Sequence, residues 1–247
     1  SVSPDETYAA FSSLGGVTEL ELGVKMGVQE ATGRLRFDPE ISGRIQGVIL
    51  PETLAAVALE EVPEALTALK FSTPPFVSAR FNKEKYEAKL RTLLGFSFYA
   101  LNFEGVAARA EGTLEGSDIE LLNFGFWGGK GDAKIRVNAD ETASGRFYVK
   151  NADFGSWSLF GPLAQGLQGT LLGFTTLKLE SVEGGFDYAN EVTKIPQMEF
   201  KGPEHALMAS GEIRAKEDAM DFKAKLKTLG GEKPSLGILA PILQPLT

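Results

Sequence analysis

The chain has 247 residues, a formal net charge of −8 at pH 7 and a pI near 4.9. This length suits one large β domain or two small ones, and the acidic charge argues against nucleic acid as a partner, since phosphate backbones are bound by clustered Lys and Arg. The absence of cysteine excludes disulfides, thiolate metal sites and cysteine nucleophiles.

An alternating run at 18–28 predicts the first strand. Leu20, Leu22 and Val24 fall on one side of it, with polar residues between them. Because successive side chains of a strand point to opposite faces, this period of two predicts a sheet with one dry face and one wet face. The same alternation recurs at 131–138 and 219–228.

A minor helical stretch is predicted near 51–70. Pro51 fits a helix start, and Pro63 opens a second short helix that carries Leu69. Pro74, which is followed by another proline, ends the helical stretch. The other predicted strands are 33–37, 41–50, 76–81, 86–92, 95–103, 105–114, 117–124, 144–150, 176–187, 195–201 and 205–215.

The segment 154–177 has no charged residue. Apolar side chains recur in it every three or four residues, which predicts an amphipathic helix near 156–172. Two interpretations are open: a helix that plugs the open end of the sheet, or a lid-like element that touches a membrane or envelope proteins. The second interpretation lacks the Lys and Arg expected at a membrane surface.

No catalytic constellation accompanies these strands. His205 is the only histidine and lies in a predicted turn, Gly202–His205, and without cysteine a zinc site would need carboxylates almost exclusively. The carboxylates that are adjacent in sequence point in different directions, so they do not converge as glycosidase chemistry requires. The sequence therefore predicts a protein that is not an enzyme and that carries no cofactor and no metal.

Several motifs in the second half resemble the C-terminal region of AsmA-like proteins. That family has a strand leading to a glycine turn, a short strand, a strand ending in Ser-Gly and a final strand. The chain matches this pattern at 176–186 (TLKLESVEGGF), 195–202 (IPQMEFKG), 206–214 (ALMASGEIR) and 219–226 (AMDFKAKL). Residues 123–131 (NFGFWGGKG) are similar to the family's turn of paired glycines. The likeness covers roughly 100–247.

The resemblance implies the periplasmic part of a Gram-negative envelope protein, anchored in the inner membrane in its full-length form. It also implies a β-rich relative of repeating β-groove lipid-transfer proteins, which support lipid transport or outer-membrane assembly. Residues 1–83 would then be an N-terminal β segment with two short helices, and 84–247 the AsmA-like β domain.

The alternating pattern and the resemblance agree on a mainly β fold. The expected form is an elongated antiparallel sheet, curled into a half-tube or groove with a few short helices. The second possibility is that the sheet closes against another sheet as a sandwich. A dry groove would bind a phospholipid or another acyl lipid. The candidate groove residues are Leu20, Leu22, Val24, Ile135, Val137, Phe147, Val149, Met220, Phe222 and Leu226. The alternative is a non-enzymatic β-sandwich interaction module of the adhesin, pilus-associated or carbohydrate-binding kind.

Overall fold

The computed structural model describes residues 5–38, 40–53, 69–98, 101–113, 115–153, 178–203, 205–214, 217, 219–228 and 237–245. The chain divides into two compact units. Unit 1 consists of 1–124 and 136–139, and unit 2 consists of 125–135 and 140–247. All the strand pairs described below are antiparallel, so the predicted mainly β, antiparallel fold class is confirmed.

Unit 1 is built on a sheet in which neighbouring strands follow the order β1-β2-β3-β4-β6-β7-β10-β11. A separate small sheet has the order β5-β8-β9. The strands are β1 (Glu6–Leu14), β2 (Val17–Met26), β3 (Gln29–Asp38), β4 (Glu40–Val48), β5 (Leu69–Phe71), β6 (Phe76–Phe81), β7 (Tyr86–Thr92), β8 (Phe96–Phe98), β9 (Leu101–Phe103), β10 (Val106–Thr113) and β11 (Gly116–Phe126).

Tight turns set the register of the first strands. Leu14 lies opposite Val17, and the two glycines between them, Gly15 and Gly16, have φ angles of 61° and 85°. A two-residue loop with both residues at positive φ is a type I′ turn, whose twist matches that of the flanking strands. This turn therefore places β1 directly beside β2.

Unit 2 is built on strands that pair in chain order from β13 to β18. Asn190 and Glu191, both at positive φ, form the turn between β14 and β15. Two strands, β11 and β12 (Gly129–Asn138), contribute residues to both units. The remaining strands are β13 (Ala143–Asp153), β14 (Lys178–Ala189), β15 (Val192–Lys201), β16 (His205–Arg214), β17 (Ala219–Thr228) and β18 (Gly237–Pro245).

Several predicted elements differ from the structure. The single strand predicted at 95–103 is a hairpin of β8 and β9, and Leu69 lies in β5 rather than in a helix. His205 is the first residue of β16, paired with Thr228, rather than part of a turn. Strands β1, β5 and β18 were not predicted. Of the predicted helical stretch near 51–70, only 51–53 is helical and described, while 54–68 and the predicted helix at 156–172 lie outside the described residues.

Candidate functional site

One face of the unit 1 sheet is apolar across all of its strands. Cross-strand register places Leu22, Gly33, Ile45 and Ala79 directly opposite one another on β2, β3, β4 and β6. We call this surface the apolar face of unit 1. It is the dry face that the alternation of β2 predicts, and it is the candidate functional surface of this unit.

The strand ends beside the β1–β2 turn form the open end of the apolar face. Phe11, Leu20 and Leu35 lie opposite one another there, and the row continues through Gly43 to Phe81. Large apolar side chains are exposed at or beside this row: Phe11 71%, Leu22 39%, Phe37 37%, Ile41 53% and Phe81 38%.

Two aromatic rings of this row lie against glycines, which leave room for them. A Cβ on Gly43 would lie 2.6 Å from the Phe81 ring, and a Cβ on Gly112 would lie 3.0 Å from the Tyr86 ring. The Tyr86 hydroxyl is hydrogen-bonded to the Ser117 hydroxyl. The open end is therefore a surface of aromatic rings and aliphatic side chains, with the Tyr86 and Ser117 hydroxyls at one side.

The opposite strand ends form the covered end of the same face. Ile49, Val77 and Phe124 are buried there, at 2%, 8% and 5% exposure. Ala31 joins Ile49 and Val77 in one cluster, against which Val24 also packs. The N–H of Ile49 donates to the carbonyl of Pro75 at 3.0 Å, which closes the long connection between β4 and β6.

The small sheet packs its aromatic rings at the covered end. The rings of Phe71 and Phe96 stack at 5.4 Å, and those of Phe96 and Phe103 stack at 4.8 Å. Phe103 then meets the ring of Phe124, on β11, edge to face at 5.8 Å. The three-stranded sheet thus supplies a cover for one end of the apolar face.

The candidate groove residues in unit 1 fall in different parts of this surface. Leu20 and Leu22 belong to the open end, whereas Val24 packs against the buried cluster of the covered end. Val137, near the end of β12, is half-buried. Ile135 is also half-buried, but it belongs to unit 2.

The candidate residues of unit 2 share one face of its sheet. Phe147 lies opposite Gly184, which lies opposite Met198, and Val149 lies opposite Val182. Val149 is buried at 3% exposure, whereas Phe147 and Phe222 are half-buried. In the β16–β17 ladder, Met220 pairs with Ile213 and Leu226 pairs with Leu207.

Residues that the sequence analysis did not select dominate the open end. Phe11 and Ile41 are more exposed than any candidate groove residue with a described side chain. The signal for Phe11 is weak because β1 (ETYAAFSSL) does not alternate apolar and charged residues. Ile41 does follow the period of two within β4, so a stricter count of that strand would have found it.

The other face of the unit 1 sheet is charged. Register places one row of residues directly opposite one another on successive strands: Glu21, Arg34, Arg44, Arg80, Glu87, Glu111 and Asp118. Arg136 extends this row through an ion pair, with its Nη1 lying 2.6 Å from Asp118 Oδ2. We call this surface the charged face of unit 1. It lines a cavity of about 1020 Å³.

Glu87 is paired with three cations on the charged face. A hydrogen bond from Lys89, followed by the charges of Arg80 and Arg109, holds the pKa of Glu87 below its ordinary value of 4.5. Its Oε2 lies 2.9 Å from Arg80 Nη2, and its Oε1 lies 3.4 Å from Lys89 Nζ. The Glu87 carboxylate therefore partly neutralises three cations, Arg80, Lys89 and Arg109.

Titratable groups elsewhere form local pairs. Hydrogen bonds from the Thr142 side chain and backbone N–H lower the pKa of Asp140, and those between Arg214 and both Glu217 and Glu212 raise the pKa of Arg214. Within the described ranges, no three His, Asp or Glu side chains are grouped so that they could hold a metal ion. In the part of the chain that the structure describes, no helix is long and apolar enough to span a bilayer.

No family model matches the chain, and neither a curated protein nor a solved structure matches it. The candidate neutral segment 154–177 lies outside the described residues.

Proposed function

We propose that the protein binds the acyl chain of a lipid on the open end of the apolar face. The observation that carries this proposal is a row of apolar side chains, from Phe11 to Phe81, that is exposed on a sheet whose other end is covered. Contiguous exposed apolar surface marks an interaction site in soluble proteins. The absence of ionic groups from the row fits a hydrocarbon occupant.

The dimensions of the row fit one acyl chain. The five strands from β1 to β6 in this sheet are separated by four spacings of about 4.8 Å each, so the row from Phe11 to Phe81 is about 19 Å long. One leaflet contributes about half of the roughly 30 Å hydrocarbon thickness of a bilayer, which is about 15 Å. A single chain can therefore lie along the row with all of its methylenes in contact with the sheet.

The expected affinity is modest. Full burial of a methylene contributes about 0.8 kcal/mol, and a chain lying on an open surface buries about half of its own area, which gives about 0.4 kcal/mol for each methylene. About 12 methylenes then contribute about 5 kcal/mol, equivalent to a Kd of about 0.1–1 mM. Such weak binding suits transfer rather than storage, because it allows rapid release.

The wider role that we propose follows the resemblance to AsmA-like proteins. The protein is then the periplasmic part of a Gram-negative envelope protein whose full-length form is anchored in the inner membrane. It supports lipid transport or outer-membrane assembly and has no catalytic activity of its own. The periplasmic location and the membership in the AsmA-like family are proposed from the motif resemblance, whereas acyl binding is also supported by the exposed apolar row.

Native mass spectrometry tests acyl binding directly. Protein incubated with phosphatidylethanolamine liposomes at about 2 mM lipid, above the expected Kd, is expected to carry phospholipid. In Ile41→Asp, a charge enters the open end, and we expect the bound fraction to fall about tenfold, which corresponds to about 1.4 kcal/mol.

Val48→Asp is the matched control. Val48 lies on the same strand as Ile41 and is also exposed, at 39%, but it points to the charged face. This variant is expected to bind lipid as the wild type does. Wild-type protein that never carries lipid, or equal loss of lipid in both variants, would leave the β-sandwich interaction module as the better account.

A further inference from the structure

Three arginines lie side by side on the charged face of unit 1. Arg34, Arg44 and Arg80 are direct cross-strand neighbours on β3, β4 and β6. Adjacent strands are about 4.8 Å apart, so the three side chains arise within about 10 Å of one another. Like charges placed directly opposite one another destabilise a sheet, so this arrangement opposes folding unless an anion lies between them.

The two outer arginines have carboxylate partners. Arg34 Nη2 lies 3.8 Å from Glu21 Oε1, and Arg80 Nη2 lies 2.9 Å from Glu87 Oε2. The guanidinium of Arg44, in the middle, has no ion pair or hydrogen bond with any residue in the described ranges. Glu87 is not free to pair with Arg44, since Lys89 and Arg109 already share the Glu87 carboxylate.

The cavity along this face concentrates positive charge. Its lining holds all three arginines together with Arg36, Lys85, Arg109 and Arg136, seven cationic side chains in all, against five acidic ones. The whole chain has a net charge of −8. A local excess of cations on an acidic protein focuses anions toward one place.

We propose that this cavity binds the phosphate group of a ligand, with Arg44 as its central contact and Arg34 and Arg80 on either side. A guanidinium offers a planar fork of donors that matches two phosphate oxygens. Three such groups side by side fit two linked phosphates better than one. The three arginines lie on the opposite face of the sheet from the exposed apolar row, although Gly43 and Phe81 of that row also line the cavity.

Calorimetric titration with inorganic pyrophosphate at low ionic strength tests the site. The wild type is expected to bind, and Arg44→Gln is expected to bind at least tenfold more weakly. Arg91→Gln is the matched control, because Arg91 lies on the same face, on β7, but does not line the cavity. It is expected to bind within twofold of the wild type.

The stability of Arg44→Gln separates a site from a structural arginine. Removing the middle charge relieves repulsion, so the variant is expected to melt at or above the temperature of the wild type while pyrophosphate binding is lost. A wild type that binds no pyrophosphate and no phosphatidic acid vesicles would overturn the proposal. Equal weakening in Arg44→Gln and Arg91→Gln would also overturn it, since that result indicates diffuse charge attraction.

Vesicles distinguish the two sources of such a phosphate. Sedimentation with phosphatidylcholine vesicles that contain phosphatidic acid, lost in Arg44→Gln and absent with phosphatidylcholine alone, indicates a lipid headgroup. Binding of pyrophosphate without vesicle binding indicates a soluble phosphate compound.

Discussion

The open end and the covered end of the apolar face belong to the same strands but differ in what joins those strands. At the open end the connections are tight: Gly15 and Gly16 between β1 and β2, and residues 82–85 between β6 and β7. At the covered end two connections are long, 49–75 and 93–105, and they carry β5, β8 and β9, whereas β2 and β3 are joined there by the two residues 27–28. Short turns leave no chain to lie over the sheet, so connection length decides which part of an apolar face becomes core.

A buried charge gives the largest expected difference between the two ends. Val77→Asp introduces an unpaired carboxylate into the covered cluster and is expected to lower the free energy of unfolding by about 3–5 kcal/mol. Ile41→Asp keeps its charge in water at the open end and is expected to lower it by less than about 1 kcal/mol. Urea denaturation followed by circular dichroism measures both. Similar losses in the two variants would mean that the open end is also core.

Removal of an aromatic ring tests the cover itself. Phe124→Ala deletes the ring that meets Phe103 and is expected to cost about 3 kcal/mol, because a cavity remains beneath the small sheet. Phe11→Ala, at the open end, is expected to cost less than about 1 kcal/mol, because its ring is mostly in water. The same denaturation experiment compares them, and a larger loss for Phe11→Ala would contradict the assignment of the two ends.

Two glycines of β4 provide a finer comparison. A Cβ on Gly47 would lie 2.2 Å from the Glu30 carbonyl oxygen and 2.5 Å from Ala31 Cα, so Gly47→Ala must push β3 and β4 apart. We expect it to cost about 2 kcal/mol. A Cβ on Gly43 meets only the ends of the Phe81 and Leu35 side chains, which can move, so Gly43→Ala is expected to change stability by less than about 0.5 kcal/mol. Equal effects would show that the Phe81 ring is held as firmly as the backbone.

The smallest expected effect comes from the charged face behind both ends. Since the folded-state pKa of Glu87 lies below its ordinary value, its ion pairs stabilise the fold above about pH 4.5 and are lost as the pH falls through the folded-state pKa. The urea midpoint of Glu87→Gln should therefore lie slightly below that of the wild type at pH 7 and converge with it as the pH falls through the folded-state pKa of Glu87. A constant difference across this range would mean that Glu87 acts through packing.

Alternation in the sequence predicted the dry and wet faces but not the difference between the two ends. The period of two at Leu20, Leu22 and Val24 follows from the pleat of a single strand, so local sequence suffices to find it. The cover depends on Phe71, Phe96 and Phe103, which lie in connections without a regular period. Only their packing in three dimensions brings their rings together.

The arginine row was not predictable for a related reason. Arg34, Arg44 and Arg80 lie on three strands, and the long connection between β4 and β6 separates the third from the other two. Register alone makes them neighbours, and this register is held by the hydrogen bonds of the β3–β4 and β4–β6 ladders. Taken singly, each arginine occupies a polar position in its strand, as any residue on a wet face does.

The unequal connections also imply an order of events during folding. Closing a long connection such as 49–75 costs about 2 kcal/mol more in chain entropy than closing a two-residue turn. Hairpins joined by short turns, such as β1 with β2, are therefore expected to form before β6 and the small sheet arrive. For that interval a newly made chain presents its whole apolar surface to water, so chaperones and aggregation compete for it until Phe103 reaches Phe124.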